Sequence, residues 1–555
     1  MAVATFGGRR PRLYRHLPTL GPHCDGQLAD ARDLPFYLTH AVLPWSRSGD
    51  VLLCASASGD DGSANGLRLP QNQKAWFVPV GRAALHAAIE RRFRTRLARN
   101  AAFALARAEP RLSAQRVVLP GQAMAFAGCV AAIGIASVLF PYGTAIVLTI
   151  LLGLGFASNI VFRALLVWIG AAEFPHPEGR PDADDLPLYT VLVPMYREAN
   201  MARHIVRSLN ALEYPRTRLQ VIFAVERDDD ETYGALAEQR LPPHFEIIRV
   251  PPGTPRTKPR ACNYALNFVR GEFLVIYDAE DRPEPDQLKR SVAAFRAAPD
   301  RVACLQARLN FYNRRGWLAV MFTLDYSLWF DFLLSGLDRI GVPMPLGGTS
   351  NHLRTSVVRE IGGWDPFNVT EDADLGIRLA AKGYRVSVLD STTFEEAADT
   401  LPNWLRQRSR WLKGYIQTWL VHMRDPLRLF RNVGWKGFVG FQLFVGGTFV
   451  SALLNPLLWM VFVVSALFGV EIFRDGDALV VARVSLAGLI TGNALFIYLA
   501  MLGLVRRGWL HFAIYALTAP VYWLLVSIAG YRGLLQLLRR PFYWEKTHHG
   551  ALADP

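Results

Sequence analysis

The sequence predicts a doubly wound α/β domain set between transmembrane helices, preceded by a small α/β N-terminal domain. Nearly uncharged apolar stretches, each long enough to cross about 30 Å of hydrocarbon as a helix, occur in the first third and the last quarter of the chain. Between them, strand-like and helical patterns alternate, which is typical of a mostly parallel sheet covered by helices. The length of 555 residues and the 51% hydrophobic content are also too high for one compact soluble domain.

The apolar stretches divide the chain into segments. They lie at residues 119–140, 146–169, about 437–470, 479–504 and 509–531. The predicted segments are a cytosolic N-terminal domain (1–116), two transmembrane helices (117–170), the α/β domain (171–400), amphipathic interface helices (401–436), C-terminal transmembrane helices (437–535) and a polar tail (536–555). Because Asn455 and Pro456 interrupt one apolar run, the closing block has three or four spans, and the side of the C-terminus stays open.

The net charge of +14 indicates an anionic partner. Arginine-rich patches at 91–99, 406–413 and 506–509 lie near membrane segments, where cytosolic positive charge sets orientation and binds acidic headgroups. No nucleic-acid-binding motif accompanies them, so we expect a lipid bilayer rather than nucleic acid. The five cysteines are scattered without a CxxC pair, which favours neither a zinc site nor a disulfide framework and fits a reducing cytoplasm.

Within the α/β domain, apolar runs of strand length alternate with helical patterns. The predicted strands are 188–196, 219–225, 245–250 and 273–278, and the predicted helices include 200–213 and 261–269. The N-terminal domain has predicted strands at 50–56 and 75–80, then a helix at about 82–108. Ligands of doubly wound sheets bind at the carboxyl ends of strands, so polar residues at those ends are candidate site residues.

The stretch FLVIYDAEDRP (273–283) ends a predicted strand in three carboxylates, Asp278, Glu280 and Asp281. Such a cluster can hold Mg²⁺ or Mn²⁺ and, through the metal, a nucleotide diphosphate. Acidic residues also end strands simply to form a solvated turn. Taken alone, the stretch leaves both interpretations open.

Two later stretches carry further candidate residues. In TED, Glu371 and Asp372 follow Thr370, which is also typical of a helix N-cap with acids in its first turn. In QRSRW (407–411), the glutamine, the second arginine and the tryptophan share one helical face, which suits a diphosphate and a sugar ring. A lone helix of this composition is equally typical of an interfacial aromatic belt.

Taken together and in order, these stretches resemble a known family. VLVPMYRE (191–198), DAED (278–281), TED (370–372) and QRSRW (407–411), lying between membrane helices, resemble the processive family 2 glycosyltransferases, the cellulose, curdlan, chitin and hyaluronan synthase group. The resemblance covers about 185–545 and implies a GT-A-like catalytic domain that uses a divalent cation.

The resemblance implies roles for individual residues. The metal ligands would be Asp278 with Glu280 or Asp281, and the general base would be Asp372. The nucleotide-sugar site would comprise Tyr196, Glu198, Glu226 with Asp228 as the alternative, Lys258, Asn263, Asp278, Gln407 and Arg410. The acceptor site would comprise Glu371, Trp411, Gly348, Thr349 and Ser350. The last three belong to PLGGTSNH (345–352), which stands where cellulose synthases have an FFCGS-like stretch; its missing cysteine weakens the case for cellulose in particular.

The implied function is that of an inverting, processive β-glycosyltransferase, a UDP-sugar-dependent hexosyltransferase with UDP-glucose as the expected donor. It would add sugars to a growing β-glucan-type exopolysaccharide and pass the polymer across a bacterial inner membrane, with its catalytic domain in the cytosol. Two alternatives stay open: a non-processive transferase to a lipid carrier, and a catalytically inactive export scaffold. Residues 1–116 resemble the N-terminal domains of secretion-system ATPases, on LPW (43–45), GDVLLCAS (49–56) and WFVPVGRAALHAAIERRF (76–93), which implies a regulatory or export partner.

Overall fold

The computed structural model describes residues 28–48, 51–57, 74–172, 185–468 and 476–546. The start of the predicted N-terminal domain and the end of the predicted tail lie outside these residues. The chain forms two compact units that divide between Asn100 and Ala101.

The first unit is a small α/β domain, as predicted. Its described elements are α1 (Leu34–His40), β1 (Val42–Ser48), β2 (Val51–Ser56), β3 (Lys74–Pro79) and the start of α2 (Arg82–Ala108). β2 is antiparallel to β1 and parallel to β3. Val42, Leu52 and Cys54 form its core, with Leu28 and Phe77 packed against them. The predicted strands and the long helix are therefore confirmed.

The second unit is built on a sheet that, over the described residues, has eight strands. They are β4 (Tyr189–Met195), β5 (Leu219–Glu226), β6 (Phe245–Val250), β7 (Phe273–Ile276), β8 (Arg282–Pro283), β9 (Val302–Phe311), β10 (Asn351–Arg354) and β11 (Arg385–Glu395). Their order across the sheet is β6-β5-β4-β7-β10-β9-β11-β8. The helices around it are α5 (Ala202–Asn210), α6 (Asp230–Ala237), α7 (Lys258–Ala265), α8 (Gln287–Ala297), α11 (Thr355–Glu360) and α12 (Glu371–Ala381).

The sheet is parallel in its first half and mixed in its second. β4 to β7 are mutually parallel, and every residue of β4, β5 and β7 is buried, which explains their unbroken apolar runs. β10 is antiparallel to both of its neighbours, β7 and β9, so the sheet is less uniformly parallel than predicted. The reversal has a consequence for the site: Asn351 pairs with Ile276, so the loop before β10 arrives at the edge where β7 ends.

Helices on the membrane side follow the predicted pattern, with one addition. Within the described residues, the helices long and apolar enough to cross a membrane are Pro120–Leu139, Pro141–Gly170, Trp317–Ile340, Pro426–Val464, Leu479–Arg506 and Leu510–Arg539. The third was not predicted. Its most apolar window is 89% buried inside the protein, against at most 28% for the others, so it is an interior helix between the sheet and its helical neighbours.

The helical elements of this part have the following bounds. They are α3 (Pro120–Leu139), α4 (Pro141–Gly170), α9 (Trp317–Leu328), a π-helical segment (Trp329–Leu333), α10 (Leu334–Ile340), α13 (Leu401–His422), α14 (Pro426–Phe441), a second π-helical segment (Gln442–Gly446), α15 (Gly447–Phe468), α16 (Gly476–Arg506), and α17 (Ala519–Arg539). α13, the predicted interface helix, packs against α12 and α17 and buries Trp404 completely. Much of its surface is therefore covered by protein.

Candidate active site

A cavity of about 600 Å³ lies at the sheet edge where β4, β5 and β7 end. It continues between the membrane-side helices, where its lining includes Asn159 and Arg163 of α4, Asn455 of α15, Phe496 of α16 and Trp523 of α17. One continuous space therefore joins the carboxylates at the strand ends to polar and aromatic side chains among the helices.

Most of the predicted site residues line this cavity. They are Tyr196, Glu198, Glu226, Lys258, Asp278, Glu280, Gly348, Thr349, Glu371, Asp372, Gln407, Arg410 and Trp411. The structure does not bring Asp228, Asn263, Asp281 or Ser350 to its wall. Residues that are far apart in sequence thus meet because their strands and helices end at the same edge of the sheet.

Lys258 occupies the centre of the polar end. It begins α7, and its Nζ lies 2.6 Å from Asp278 Oδ1 and donates to the carbonyl oxygen of Gly348 at 2.6 Å. Burial opposes its charge, but the carboxylates of Asp278 and Asp372 raise the pKa of Lys258 well above its ordinary value. A fixed, permanently charged ammonium of this kind can bind the phosphates of a nucleotide.

The three carboxylates after β7 divide into two groups. Asp278 and Glu280 line the cavity. Asp281 instead points into the protein, where its Oδ2 accepts hydrogen bonds from the backbone N–H of Asp278, at 2.8 Å, and from the hydroxyl of Thr349. Asp281 therefore holds the β7 end against the loop before β10. Burial, and then the neighbouring carboxylates, raise the pKa of both Glu280 and Asp281 well above the ordinary range.

The end of β5 and the residues after it form a fixed network at the polar end of the cavity. Glu226 makes a buried bidentate ion pair with Arg260, at 2.7 and 2.8 Å. Asp228 pairs with Arg256 at 2.8 Å, and Arg256 donates to the Tyr196 hydroxyl at 3.0 Å. Asp228 thus reaches the site through a neighbour that lines the cavity.

Two other predicted residues have structural contacts outside the cavity. The side-chain amide of Asn263 donates to the carbonyl oxygens of Ala101 and Trp364, at 3.1 and 2.8 Å. Ser350 bonds its hydroxyl to that of Thr393 at 2.7 Å, in the middle of the sheet. Both side chains join elements of the second unit.

Asp372 lies in the first turn of α12. Its side chain is buried, and its Oδ1 has no hydrogen-bond partner among the described residues. A Cβ built on Gly348 would lie 3.9 Å from its Oδ2, so the loop before β10 passes directly beside this carboxylate. Burial, together with the negative charge of Glu371, raises the pKa of Asp372 well above its ordinary value. Such a group is a proton acceptor of raised basicity.

The QRSRW face of α13 meets the chain's C-terminal end. Arg410 donates to the carbonyl oxygen of Glu545 at 2.9 Å, and its guanidinium lies 4.9 Å from the ring centroid of Trp544. Trp411 stacks on Tyr326 with ring centroids 5.9 Å apart. The helix therefore presents a cation and an aromatic platform to the same cavity, which suits a diphosphate and a sugar ring.

Several lining residues were missed from the sequence. Lys546 pairs with Glu198 at 3.2 Å, although residues 536–555 were predicted to be a polar tail. The three aromatics and two charges of FYWEK (542–546) are atypical of a solvated tail and could have been noticed. Glu395, the last residue of β11, gave no sequence signal, because a glutamate at the end of a strand is commonplace.

Comparison with known proteins connects this site with glycosyl transfer. Residues 273–529 match the family described as "Glycosyl transferase family group 2", and this segment includes the carboxylates after β7 and all of α12 and α13. The chain is 26% identical to the probable glycosyltransferase YdaM of Bacillus subtilis, over 43% of this chain and 57% of the relative. It is 28% identical to a beta-monoglucosyldiacylglycerol synthase of Trichormus variabilis, over 42% of this chain and 50% of the relative. It is 27% identical to glucomannan 4-beta-mannosyltransferase 2 of Arabidopsis thaliana, over 46% of this chain and 48% of the relative.

The chain spans about half the length of the curated relatives that it matches. Residues 273–529 therefore match a glycosyltransferase domain, and the relatives named above are by name a probable glycosyltransferase, a glycolipid synthase and a mannosyltransferase. The prediction of a glycosyltransferase domain is supported over this segment. The activity of the whole chain, the processive subgroup, the donor and the product stay predictions.

Proposed function

We propose that this protein is a membrane-embedded, inverting, processive β-glycosyltransferase. It polymerises a UDP-sugar, with UDP-glucose as the expected donor, into a β-glucan-type polysaccharide and passes the chain across a bacterial inner membrane from a cytosolic catalytic domain. The observation that carries the proposal is the single cavity that runs from Lys258 and the carboxylates to polar and aromatic residues between α4, α15, α16 and α17. A saccharide chain needs such a lining, because sugar faces stack on aromatic rings and sugar hydroxyls need hydrogen-bond partners.

The chemistry follows from the positions of the charged groups. Asp372 takes the proton of an acceptor hydroxyl, the hydroxyl oxygen bonds to the anomeric carbon, and the bond from that carbon to the diphosphate oxygen breaks. Negative charge then grows on the leaving diphosphate, where Lys258 and Arg410 compensate it electrostatically. One base and one compensating group suffice for transfer with inversion.

Asp278 and Glu280 are suited to hold Mg²⁺ or Mn²⁺ with the donor's phosphate oxygens. Among the described residues, no group of three His, Cys, Asp or Glu side chains forms a ready metal cage. Mg²⁺ does not require one, since it is commonly bound by one or two carboxylates together with substrate phosphates. When bound, the cation would neutralise charge on the diphosphate. The inward hydrogen bonds of Asp281 favour Glu280 as the second ligand.

A second candidate function is a single transfer to a lipid acceptor. The relative from Trichormus variabilis, a beta-monoglucosyldiacylglycerol synthase by name, favours it. A lipid acceptor would use the same base and diphosphate site, and its apolar part would lie among the membrane-side helices. The two candidates therefore differ in product length and not in catalytic residues.

The test is product analysis with purified full-length protein in detergent. The protein is incubated with radiolabelled UDP-glucose and Mg²⁺ or Mn²⁺, with a metal-free control. Labelled high polymer supports the proposal, labelled glycolipid supports the second candidate, and no turnover with any nucleotide sugar rejects both. Digestion of the polymer by linkage-specific glucanases then assigns the linkage, and a protein lacking residues 1–100 tests the proposed regulatory or export role of the N-terminal domain.

We expect the activity to be lost on acidification at an unusually high pH for an enzyme with an aspartate as its base. Burial raises the pKa of Glu371 to about 6 and that of the adjacent Asp372 well above 3.8. Since transfer needs the ionised base, kcat/KM on the acidic limb of the pH–rate profile should fall tenfold per pH unit below the apparent pKa of this pair, which burial and mutual repulsion raise above that of an ordinary aspartate. Glu371→Gln removes the like charge and should move the limb to lower pH. A limb below pH 4.5 in the wild type, or no movement in the variant, would contradict the assignment.

Gly414 lets α13 pack directly on the TED stretch, and its substitution should impair catalysis. A Cβ at this position would lie 2.2 Å from Thr370 Oγ1 and 2.6 Å from Thr370 Cβ, so the segment of chain entering α12 must move. Gly414→Ala should cost about 1–3 kcal/mol of unfolding free energy and lower turnover about 100-fold, because displacing a catalytic group by about 1 Å has that effect. Thermal melting measures the loss of stability, and turnover assays measure the loss of catalysis.

Gly234→Ala is the matched control, because a Cβ at this position of α6 would have nothing within 4 Å. It should leave turnover unchanged. Equal behaviour of the two variants would show that the contact between Gly414 and Thr370 does not position the base.

A further inference from the structure

Glu395 is a cavity residue to which the catalytic scheme gives no role. It is the last residue of β11, it lines the cavity, and its relative exposure is only 8%. Its carboxylate forms no ion pair and no hydrogen bond with any other described residue, and Oε1 is a fully buried atom without a partner. A buried, unpaired carboxylate is strongly unfavourable unless something else supplies hydrogen-bond donors.

Four other acids of the cavity have cationic partners. The pairs are Asp278 with Lys258, Glu198 with Lys546, Glu226 with Arg260, and Asp325 with Arg408. Asp372, whose Oδ1 also has no partner among the described residues, already serves as the proposed base. Glu395 has neither a cationic partner in the described part of the chain nor a role in the catalytic scheme. The missing donors are therefore expected from a ligand and not from the protein.

The backbone around Glu395 is held firmly. Its carbonyl oxygen accepts a hydrogen bond from the N–H of Tyr312 at 3.1 Å, and the preceding Phe394 pairs with Arg282 of β8. The strand thus delivers the carboxylate to the cavity wall in a fixed position, which is what a selective binding group needs.

Its surroundings place Glu395 where the transferred sugar must lie. The preceding Phe394 pairs with Arg282, which directly follows the carboxylates at 278–281, so the diphosphate end of the cavity is close by. On the other side Glu395 pairs with Phe311, whose ring centroid lies 4.3 Å from that of Tyr326, the residue that stacks on Trp411. The sugar of a bound donor has to lie between its diphosphate and the acceptor.

A third metal ligand is the other role that a carboxylate here could have. The described residues contain no group of three acidic or other metal-binding side chains arranged to hold an ion, so Glu395 does not complete a cage with Asp278 and Glu280. Hydroxyl groups of a sugar, by contrast, are neutral donors that match the oxygens of a carboxyl group and need no charge partner.

We propose that Glu395 accepts hydrogen bonds from hydroxyl groups of the transferred hexose and thereby selects which sugar the enzyme uses. The inference rests on the proposed nucleotide-sugar function and specifies its donor site. Hexose epimers differ only in the direction of a hydroxyl, and a site built to bind a hydroxyl discriminates strongly against a sugar that presents none there.

The test compares binding of intact donors with binding of UDP alone. Full-length wild type, Glu395→Gln and Glu395→Ala are titrated in detergent with Mn²⁺ against UDP, UDP-glucose, UDP-galactose and UDP-N-acetylglucosamine. We expect Glu395→Ala to weaken the preferred UDP-sugar by about 10- to 100-fold while the affinity for UDP changes less than about twofold. Glu395→Gln, which keeps one acceptor oxygen, should recover part of the affinity. Glu360→Gln is the matched control and should change nothing, because Glu360 is exposed at the end of α11 and lies outside the cavity wall.

Each other outcome overturns the inference. Unchanged donor preference in both variants would show that Glu395 does not select the sugar. Equal loss of UDP and UDP-sugar binding would show that its role is structural. A raised Mn²⁺ requirement with intact donor preference would show that it is a metal ligand. The proposed function fails separately, when the wild type turns over no nucleotide sugar; variants that keep wild-type turnover and preference refute the role of Glu395 alone.

Discussion

Asp372→Asn is expected to lower glycosyl transfer by at least about 1,000-fold while UDP binds within about threefold of wild type. The substitution keeps the shape of the side chain and removes only its ability to take a proton. The Oδ1 atom of Asp372 is buried without a partner, so its carboxylate is not needed to hold neighbouring elements together. Replacing a buried charge by a neutral amide should therefore leave the melting temperature equal or raised.

The measurements are single-turnover transfer, UDP affinity and thermal melting of the same preparations. Asp399→Asn is a suitable control, because this aspartate is exposed just before α13 and lies outside the cavity wall. Normal transfer by Asp372→Asn would refute the assignment of the base. Loss of UDP binding in parallel with transfer would show that Asp372 organises the nucleotide site instead.

Local patterns in the sequence were enough to predict the sheet's first half and its acids. The strands β4, β5 and β7 are buried on both faces, so each appears as a continuous apolar run, and the residues that follow them lie at the carboxyl ends. Asp278 was found for this reason, whereas Asp372 was predicted from the resemblance of TED to a family motif. The sequence could not separate Glu280 from Asp281, because which of them faces the cavity depends on the hydroxyl of Thr349, a residue far along the chain.

The buried helix Trp317–Ile340 shows why other features escaped. Its acids at 331 and 338 break the apolar pattern that marks a membrane span. In the structure these acids form ion pairs with arginines that are distant in sequence: Arg507 binds Asp331 at 2.5 and 2.6 Å, and Arg385 binds Asp338 at 3.3 Å. Partners so remote in sequence leave no periodic signal. The same is true of Lys546 beside Glu198, which lies some 350 residues from its partner.

Arg410→Ala is expected to lower kcat/KM for the donor by about 100- to 1,000-fold, most of it in kcat. The guanidinium is held by Trp544 and by the carbonyl oxygen of Glu545, and it faces the cavity with no carboxylate of the described residues in direct contact. Its charge is therefore available to the leaving diphosphate, and interactions that strengthen as charge develops appear mainly in kcat. Arg410→Lys should recover little activity, since an ammonium cannot reproduce the planar fork of hydrogen bonds to phosphate.

Chemical rescue separates this role from a structural one. If Arg410→Ala lacks only a cation at the diphosphate, added guanidinium should restore part of its turnover. It should restore none of the turnover of Asp372→Asn, because that variant has lost its proton acceptor. Arg431→Ala, an exposed arginine of α14 outside the cavity wall, should behave as wild type in every assay. Wild-type turnover by Arg410→Ala would assign charge compensation to Lys258 and the metal alone. A variant that melts early and is not rescued would show that Arg410 mainly anchors the C-terminal segment through Trp544 and Glu545.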